Sequence, residues 1–157
     1  MVDKEYIKRR LEEFRRRCRE RGLRITPQRL EVFRVVTSSE EHPDAETILR
    51  KVRRAIPNIS LDSVYRIIYM LESEGMISRV PASSDRLRFD GNTEKHHHFI
   101  CSECGVIMDF ESEKIDNLPV PGEVESWGVV ESRHMMVRGV CRDCLAKRSK
   151  TPLNTKG

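Results

Sequence analysis

Residues 60–80 read SLDSVYRIIYMLESEGMISRV, and this stretch decides the fold of the first half of the chain. Ser60 is placed to cap a helix, and Leu61, Val64, Ile67, Ile68 and Leu71 recur at helical spacing to give it one apolar stripe. Asp62, Tyr65, Arg66 and Tyr69 make the opposite, outward face. Gly75 ends the helix. Two short extended segments follow, Met76–Val80 and Arg86–Phe89, joined by a turn-rich loop from Pro81 to Asp85. A helix feeding a two-stranded hairpin is the layout of a winged helix.

The residues before it supply the rest of such a domain. Lys4 to about Arg21 reads as a helix, with Ile7, Leu11, Phe14 and Cys18 on one stripe and Gly22 after it. Cys18 lies on that stripe and is expected as a buried thiol. Thr26-Pro27 is an N-cap followed by proline at the first helical position, and this second helix runs to about Thr37. Asp44 caps a third helix with Ala45, Ile48, Leu49 and Val52 inward; Pro57 lies past its end.

The second half carries the metal chemistry. Cys101-Ser102-Glu103-Cys104 and Cys141-Arg142-Asp143-Cys144 are two C-x-x-C knuckles, the spacing of a closed tetrahedral zinc site. A thiol–disulfide role is the competing reading. His96-His97-His98 stands just before the first knuckle. On a strand, His96 and His98 point to one face, and His97 shares the other with Cys101. Two imidazoles alone bind weakly. Asp90 and Asp109 would add oxygen ligands, and His42 is a further candidate from the helical half. A mixed imidazole–carboxylate set suits iron, manganese or zinc, and holds them more loosely than four thiolates.

His96–Cys101 and Val106–Phe110 read as strands around a turn at Cys104-Gly105, with a short helix within Glu111–Leu118. Pro119, Pro121 and Gly122 break the pattern, and Gly128–Val140 reads as extended. The expected organisation is an α+β chain. It has a winged helix-turn-helix domain over residues 1–88, a hinge over 89–95, an α/β metal-binding domain over 96–145 and a flexible basic tail over 146–157.

Charge is divided unevenly. Residues 1–90 hold 20 Lys+Arg against 15 Asp+Glu, and residues 91–157 hold 9 against 10. A basic excess confined to the helical half points to a polyanionic partner. There is no apolar run long enough to span a bilayer and no secretory signal core at the N-terminus. Cysteines at metal spacing fit a reducing cytoplasm better than a disulfide scaffold, so a cytoplasmic protein without membrane association is expected. A zinc hydrolase is a poor fit, because no H-E-x-x-H occurs. A zinc-ribbon module that binds protein is a further alternative.

Several blocks together resemble the Fur family of bacterial metalloregulators. They are residues 22–29 (GLRITPQR), His42-Pro43-Asp44-Ala45, residues 60–66 (SLDSVYR), Arg88-Phe89-Asp90-Gly91, residues 96–105 (HHHFICSECG) and residues 139–144 (GVCRDC). The resemblance covers about residues 10–145. It implies an N-terminal winged helix joined to a dimerisation domain, in a dimeric, metal-dependent DNA-binding repressor rather than an enzyme. It also implies structural Zn2+ on Cys101, Cys104, Cys141 and Cys144, and regulatory Fe2+ or Mn2+ on His42, Asp90, His96, His98 and Asp109.

Aspartate at 109 is similar to the family's peroxide-sensing branch, which loses its metal when iron catalyses oxidation of a ligand histidine, here His42 or His96. Lys95 and Arg133 stand where the iron-uptake branch tends to carry histidines. Arg66 points the other way, and Asp62 departs from the small residue usual there. A ferrous-iron or zinc uptake regulator is therefore the alternative. DNA contact is expected from Ser63, Tyr65 and Arg66 in the recognition helix of a palindromic double-stranded operator. Arg21, Arg24 and Arg29 are expected on phosphates.

Overall fold

A computed structural model describes residues 2–80 and 86–150. The chain divides into two compact units, residues 1–94 and 95–157. Among the described residues, the first unit holds four helices and one strand pair: α1 (Lys4–Glu20), α2 (Pro27–Thr37), α3 (Ala45–Val52), α4 (Leu61–Ser73), β1 (Ser78–Val80) and β2 (Arg88–Asp90).

The helix starts are chemical. Side-chain oxygens of Asp3, Thr26, Asp44 and Ser60 accept from the backbone N–H groups of Glu5, Arg29, Thr47 and Ser63, so each helix has an oxygen satisfying an otherwise orphaned donor. The apolar stripes then close on one another. Phe14 of α1 stacks on Phe33 of α2 with ring centroids 4.9 Å apart. Cys18, Val36, Ile48, Val64, Ile68, Leu71, Met76 and Phe89 complete the buried core around them. Burial pushes the Cys18 thiol up, as an inert apolar packing residue requires. Truncating Leu71 to alanine at the centre of this core would cost about 2–5 kcal/mol.

β1 and β2 pair antiparallel with Val80 opposite Arg88 and Ser78 opposite Asp90, forming the wing. Both strands are shorter than the extended segments expected from the sequence. The turn expected at Pro81–Asp85 lies outside the described residues. Gly91, just past β2, has no room for a side chain: a Cβ there would lie 2.5 Å from the Thr37 Cα.

The second unit is a three-stranded sheet with short helices: β3 (His97–Cys101), β4 (Ile107–Phe110), α5 (Glu113–Asp116), α6 (Gly122–Trp127), β5 (Met136–Gly139) and α7 (Arg142–Lys150). Strand order is β4-β3-β5, with β4 antiparallel and β5 parallel to β3. Three expectations are corrected here. Residues 128–140 are extended only in part, with a strand from Met136 to Gly139, and α6 starts at the glycine that was read as a breaker. Proline at its N-cap costs nothing, because that position needs no backbone donor within the helix. The tail is not unstructured from residue 146, because α7 continues from the second knuckle to Lys150. Leu145 N–H donates to the Cys141 carbonyl, so the knuckle itself starts that helix. The remaining tail residues, 151–157, lie outside the described residues.

Candidate metal centre

The four cysteines of the two knuckles converge. Their sulfurs lie within 4.8 Å of one another, with Cys101 to Cys144 at 3.9 Å and Cys104 to Cys141 at 3.7 Å. A tetrahedral zinc with Zn–S bonds of about 2.3 Å places its sulfurs about 3.8 Å apart, so the donor set fits that ion without rearrangement. Gly105 at φ 71° turns the first knuckle, and its N–H donates to the Cys101 carbonyl. Backbone amides of Cys104 and Cys141 bring the Cys101 thiol down to about 6. Cys144 is pushed up to about 12, chiefly by hydrogen bonding to Cys141, with burial adding to it. Four sulfurs this close cannot all ionise side by side, and a divalent cation in place of their protons removes that conflict.

The histidine run divides as strand geometry requires. His97 is fully buried, 5.3 Å from the Phe110 ring. Its Nδ1 accepts from the Met135 N–H at 3.2 Å, which places the neutral ring's proton on Nε2, 3.3 Å from Asp116 Oδ1. Lys95 Nζ lies 3.1 Å from the same Asp116 oxygen. The His97 ring thus ties β3 to the backbone just before β5. His96 and His98 lie together, Nε2 to Nε2 at 3.0 Å, with rings edge to face. Asp109, on the neighbouring strand, brings Oδ1 to 3.9 Å from His96 Nε2 and 3.5 Å from His98 Nε2. Two imidazoles and a carboxylate so arranged are a candidate nitrogen–oxygen donor set in the second unit, separate in donor type from the thiolates.

The first unit contains a candidate donor pair of its own. His42 Nε2 lies 3.6 Å from Asp90 Oδ2, and both residues are buried. The other Asp90 oxygen, Oδ1, accepts from the Asn92 N–H at 2.7 Å, which fixes the carboxylate plane. The buried Arg10 braces the same region, donating to the Met76 carbonyl at 2.9 Å and to the Gly91 carbonyl at 3.1 Å.

The expected DNA-contacting residues lie on the first unit. On α4, Tyr65 and Tyr69 are exposed, and Arg66 Nη2 pairs with Asp62 Oδ2 at 2.6 Å. Ser63 is engaged in the helix cap, its N–H on Ser60 Oγ at 3.1 Å. Arg29 Nη1 donates to the Arg24 carbonyl at 2.6 Å, and Arg21 lies 3.5 Å from Glu74. Arg29 thus spends a donor on shaping the turn before α2, while Arg24 stays exposed.

The chain as a whole has counterparts among known proteins. The model of the ferric uptake regulator family matches residues 20–138. The chain belongs to that family. Fur-family proteins are transcriptional regulators and not enzymes. The peroxide-responsive repressor PerR of Staphylococcus aureus is 33% identical over 93% of this chain and 99% of its own. Among solved structures, the ferric uptake regulator Fur of Helicobacter pylori superposes with a TM-score of 0.73 at 31% identity, covering 92% of this chain and 97% of that one. A zinc-bound manganese uptake regulator superposes with a TM-score of 0.63 at 31% identity, over 83% and 98%. As a member of the Fur family, the chain is a metalloregulator with a winged-helix domain and a thiolate-bearing domain.

The residues that hold the ligands in place were not legible in the sequence. The Met135 amide, which holds the His97 ring between the candidate ligands His96 and His98, is remote from it in the chain, and no spacing rule links them. Arg10 reads as one more charge on an amphipathic helix, and nothing in its periodicity marks it as buried.

Proposed function

We propose that this Fur-family protein is a metal-dependent repressor that senses hydrogen peroxide through oxidation of a ligand histidine. One divalent cation is shared by His42 and Asp90 of the first unit and His96, His98 and Asp109 of the second. The chemistry of those donors carries the reading: three imidazoles and two carboxylates, with no thiolate among them, suit exchangeable Fe2+ or Mn2+. Cys101, Cys104, Cys141 and Cys144 hold structural Zn2+, a closed site with no position for a reactant. The 33% identity to a peroxide-responsive repressor supports the same branch.

The protein works in the cytoplasm as a homodimer on a palindromic operator. The first unit, to residue 94, is the DNA-binding domain and the second, from residue 95, the dimerisation domain; the hinge expected over 89–95 begins inside β2, so the linking segment is the stretch after Asp90. Tyr65 and Arg66 reach base edges in the major groove, with Ser63 at the start of the helix. Arg21, Arg24 and Arg29 meet phosphates and set register. A cation that binds both domains favours the arrangement in which all five ligands are satisfied, and a 100-fold gain in operator affinity needs about 2.7 kcal/mol of such preference.

Ferrous iron held by these residues would supply one-electron steps with peroxide and return to its starting state. Overall the ring of His42 or His96 would give up two electrons and take one peroxide oxygen, the other oxygen leaving as water, and an oxidised imidazole is a poorer donor. Loss of that ligand frees the hinge and lowers affinity for DNA. Manganese in the same site represses without sensing.

A second reading, a divalent-metal uptake regulator without peroxide chemistry, is favoured by the 31% identity to the ferric and manganese uptake regulators. Operator binding by iron-loaded and manganese-loaded protein, each with and without peroxide, separates the two. The peroxide reading expects DNA release from the iron form alone, with one added oxygen on a peptide containing His42 or His96. Iron-loaded protein that keeps both its DNA and its mass after peroxide would leave the uptake reading.

A further inference from the structure

His42 has a backbone that its own chemistry does not favour. Among the described residues it is the one non-glycine with positive φ, at 48°. The residue that follows is Pro43, and a residue before proline is pushed toward extended conformations. A side-chain-bearing residue held in the left-handed region persists where its surroundings over-determine it.

The surroundings are three consecutive residues of β2. Phe89 N–H donates to the Pro43 carbonyl at 3.1 Å. Asp90 Oδ2 faces the His42 imidazole at 3.6 Å. Arg88 supplies the third grip: its Nε donates to the His42 carbonyl and its Nη2 to the Glu41 carbonyl, the latter at 2.6 Å. Arg88 and Asp90 are two apart on a strand, so they leave β2 on the same side. One guanidinium fork therefore captures two successive carbonyls of the turn, while the carboxylate beside it meets the side chain of that turn. A planar fork with fixed donors suits this task, and an ammonium does not reproduce it.

We propose that Arg88 is a positioning residue for the regulatory cation. It locks the Glu41–His42 turn in its left-handed form and so presents the His42 imidazole beside Asp90 before any metal arrives. The proposal rests on His42 and Asp90 being ligands. Groups that orient metal ligands affect affinity about 10- to 100-fold when removed, and Arg88 acts here through the backbone of the ligand rather than through its ring.

A double-mutant cycle on the full-length, zinc-containing protein tests this. Mn2+ affinity and the ligand-field spectrum of bound Co2+ are measured for wild type, Arg88→Met, Arg88→Lys, His42→Ala and Arg88→Met/His42→Ala. Arg88→Met is expected to weaken Mn2+ by about tenfold or more and to shift the Co2+ spectrum toward that of His42→Ala. Arg88→Lys should fall between it and wild type, and Arg88→Met should add nothing once His42 is gone. If Arg88→Met does not fold by circular dichroism, Arg88→Lys takes its place in the cycle. Wild-type Mn2+ affinity in the Arg88 variants overturns the proposal, as do additive losses. Unchanged Mn2+ affinity combined with a shallower salt dependence of DNA binding would make Arg88 a phosphate contact instead. If His42→Ala itself binds Mn2+ as wild type does, the ligand assignment has failed, and this inference with it.

Discussion

Asp109 stands directly opposite His98 in the antiparallel β3–β4 ladder, with its Oδ1 3.5 Å from His98 Nε2. Cross-strand partners share a sheet face, so this register, rather than proximity in sequence, delivers a carboxylate to the two imidazoles. Replacing Asp109 with asparagine keeps the shape and removes the charge. Mn2+ affinity of the zinc-containing protein should fall at least several-fold, while its melting temperature without Mn2+ stays within a degree or two. Calorimetric titration and a thermal melt check both halves of the expectation.

The thiolate cluster joins the first knuckle at the end of β3 to the second at the start of α7, 37 residues later. Zinc binding to such sites is worth about 10–16 kcal/mol at neutral pH, more than a small sheet can replace by packing. Cys141→Ser should therefore lose its zinc and unfold the second unit, while the helices of the first unit persist. Metal analysis combined with hydrogen exchange resolved by segment would show protection lost after residue 95 and kept in α1, α2 and α4.

Asp62 and Arg66 form an i,i+4 pair in full solvent, where such a pair adds little to stability. On DNA its meaning changes. In the proposed DNA complex, a carboxylate in the first turn of α4 would repel nearby phosphate and hold Arg66 for a guanine. Asp62→Ser should leave the melting temperature unchanged and raise affinity for non-operator DNA more than for operator, shrinking the specificity ratio about three- to tenfold. Fluorescence anisotropy on both DNAs, at one fixed salt concentration, reads that ratio.

Asp44 caps α3 through the Thr47 N–H at 2.8 Å and pairs with Arg86 at 3.2 Å. Burial alone would raise its carboxyl, but the Thr47 and Arg86 hydrogen bonds outweigh it and hold the group below the usual carboxylate range. A folded-state value below the unfolded one means that the stabilisation is present above about pH 4 and fades as pH falls through the folded value. Asp44→Ala should cost about 1 kcal/mol at neutral pH, and that difference should narrow on acidification. Urea unfolding of both proteins from pH 7 down to pH 3 provides the comparison.

The periodicity of Leu61, Val64, Ile68 and Leu71 fixed α4, because a stripe at helical spacing has one way to be buried. The N-caps at Thr26, Asp44 and Ser60 were legible for the same local reason: a cap and its donor lie within three residues of each other. Strand parity correctly separated His97 from His96 and His98. What could not be read was non-local. α6 begins at Gly122 and was masked by the flanking prolines. The Arg88 grip on the 41–42 carbonyls spans more than 40 residues and leaves no pattern in either segment. The left-handed backbone of His42 is equally hidden, because neither histidine nor a following proline announces it.

The central claim is that a single cation draws its ligands from both units. The most direct measurement is calorimetric titration of Mn2+ into the zinc-containing protein, its His42→Ala variant and its His98→Ala variant. One exchangeable Mn2+ per chain in the wild type, with the same binding event weakened at least tenfold by either substitution, is the expected result. An unchanged isotherm for His42→Ala beside a lost one for His98→Ala would confine the cation to the second unit and contradict the account.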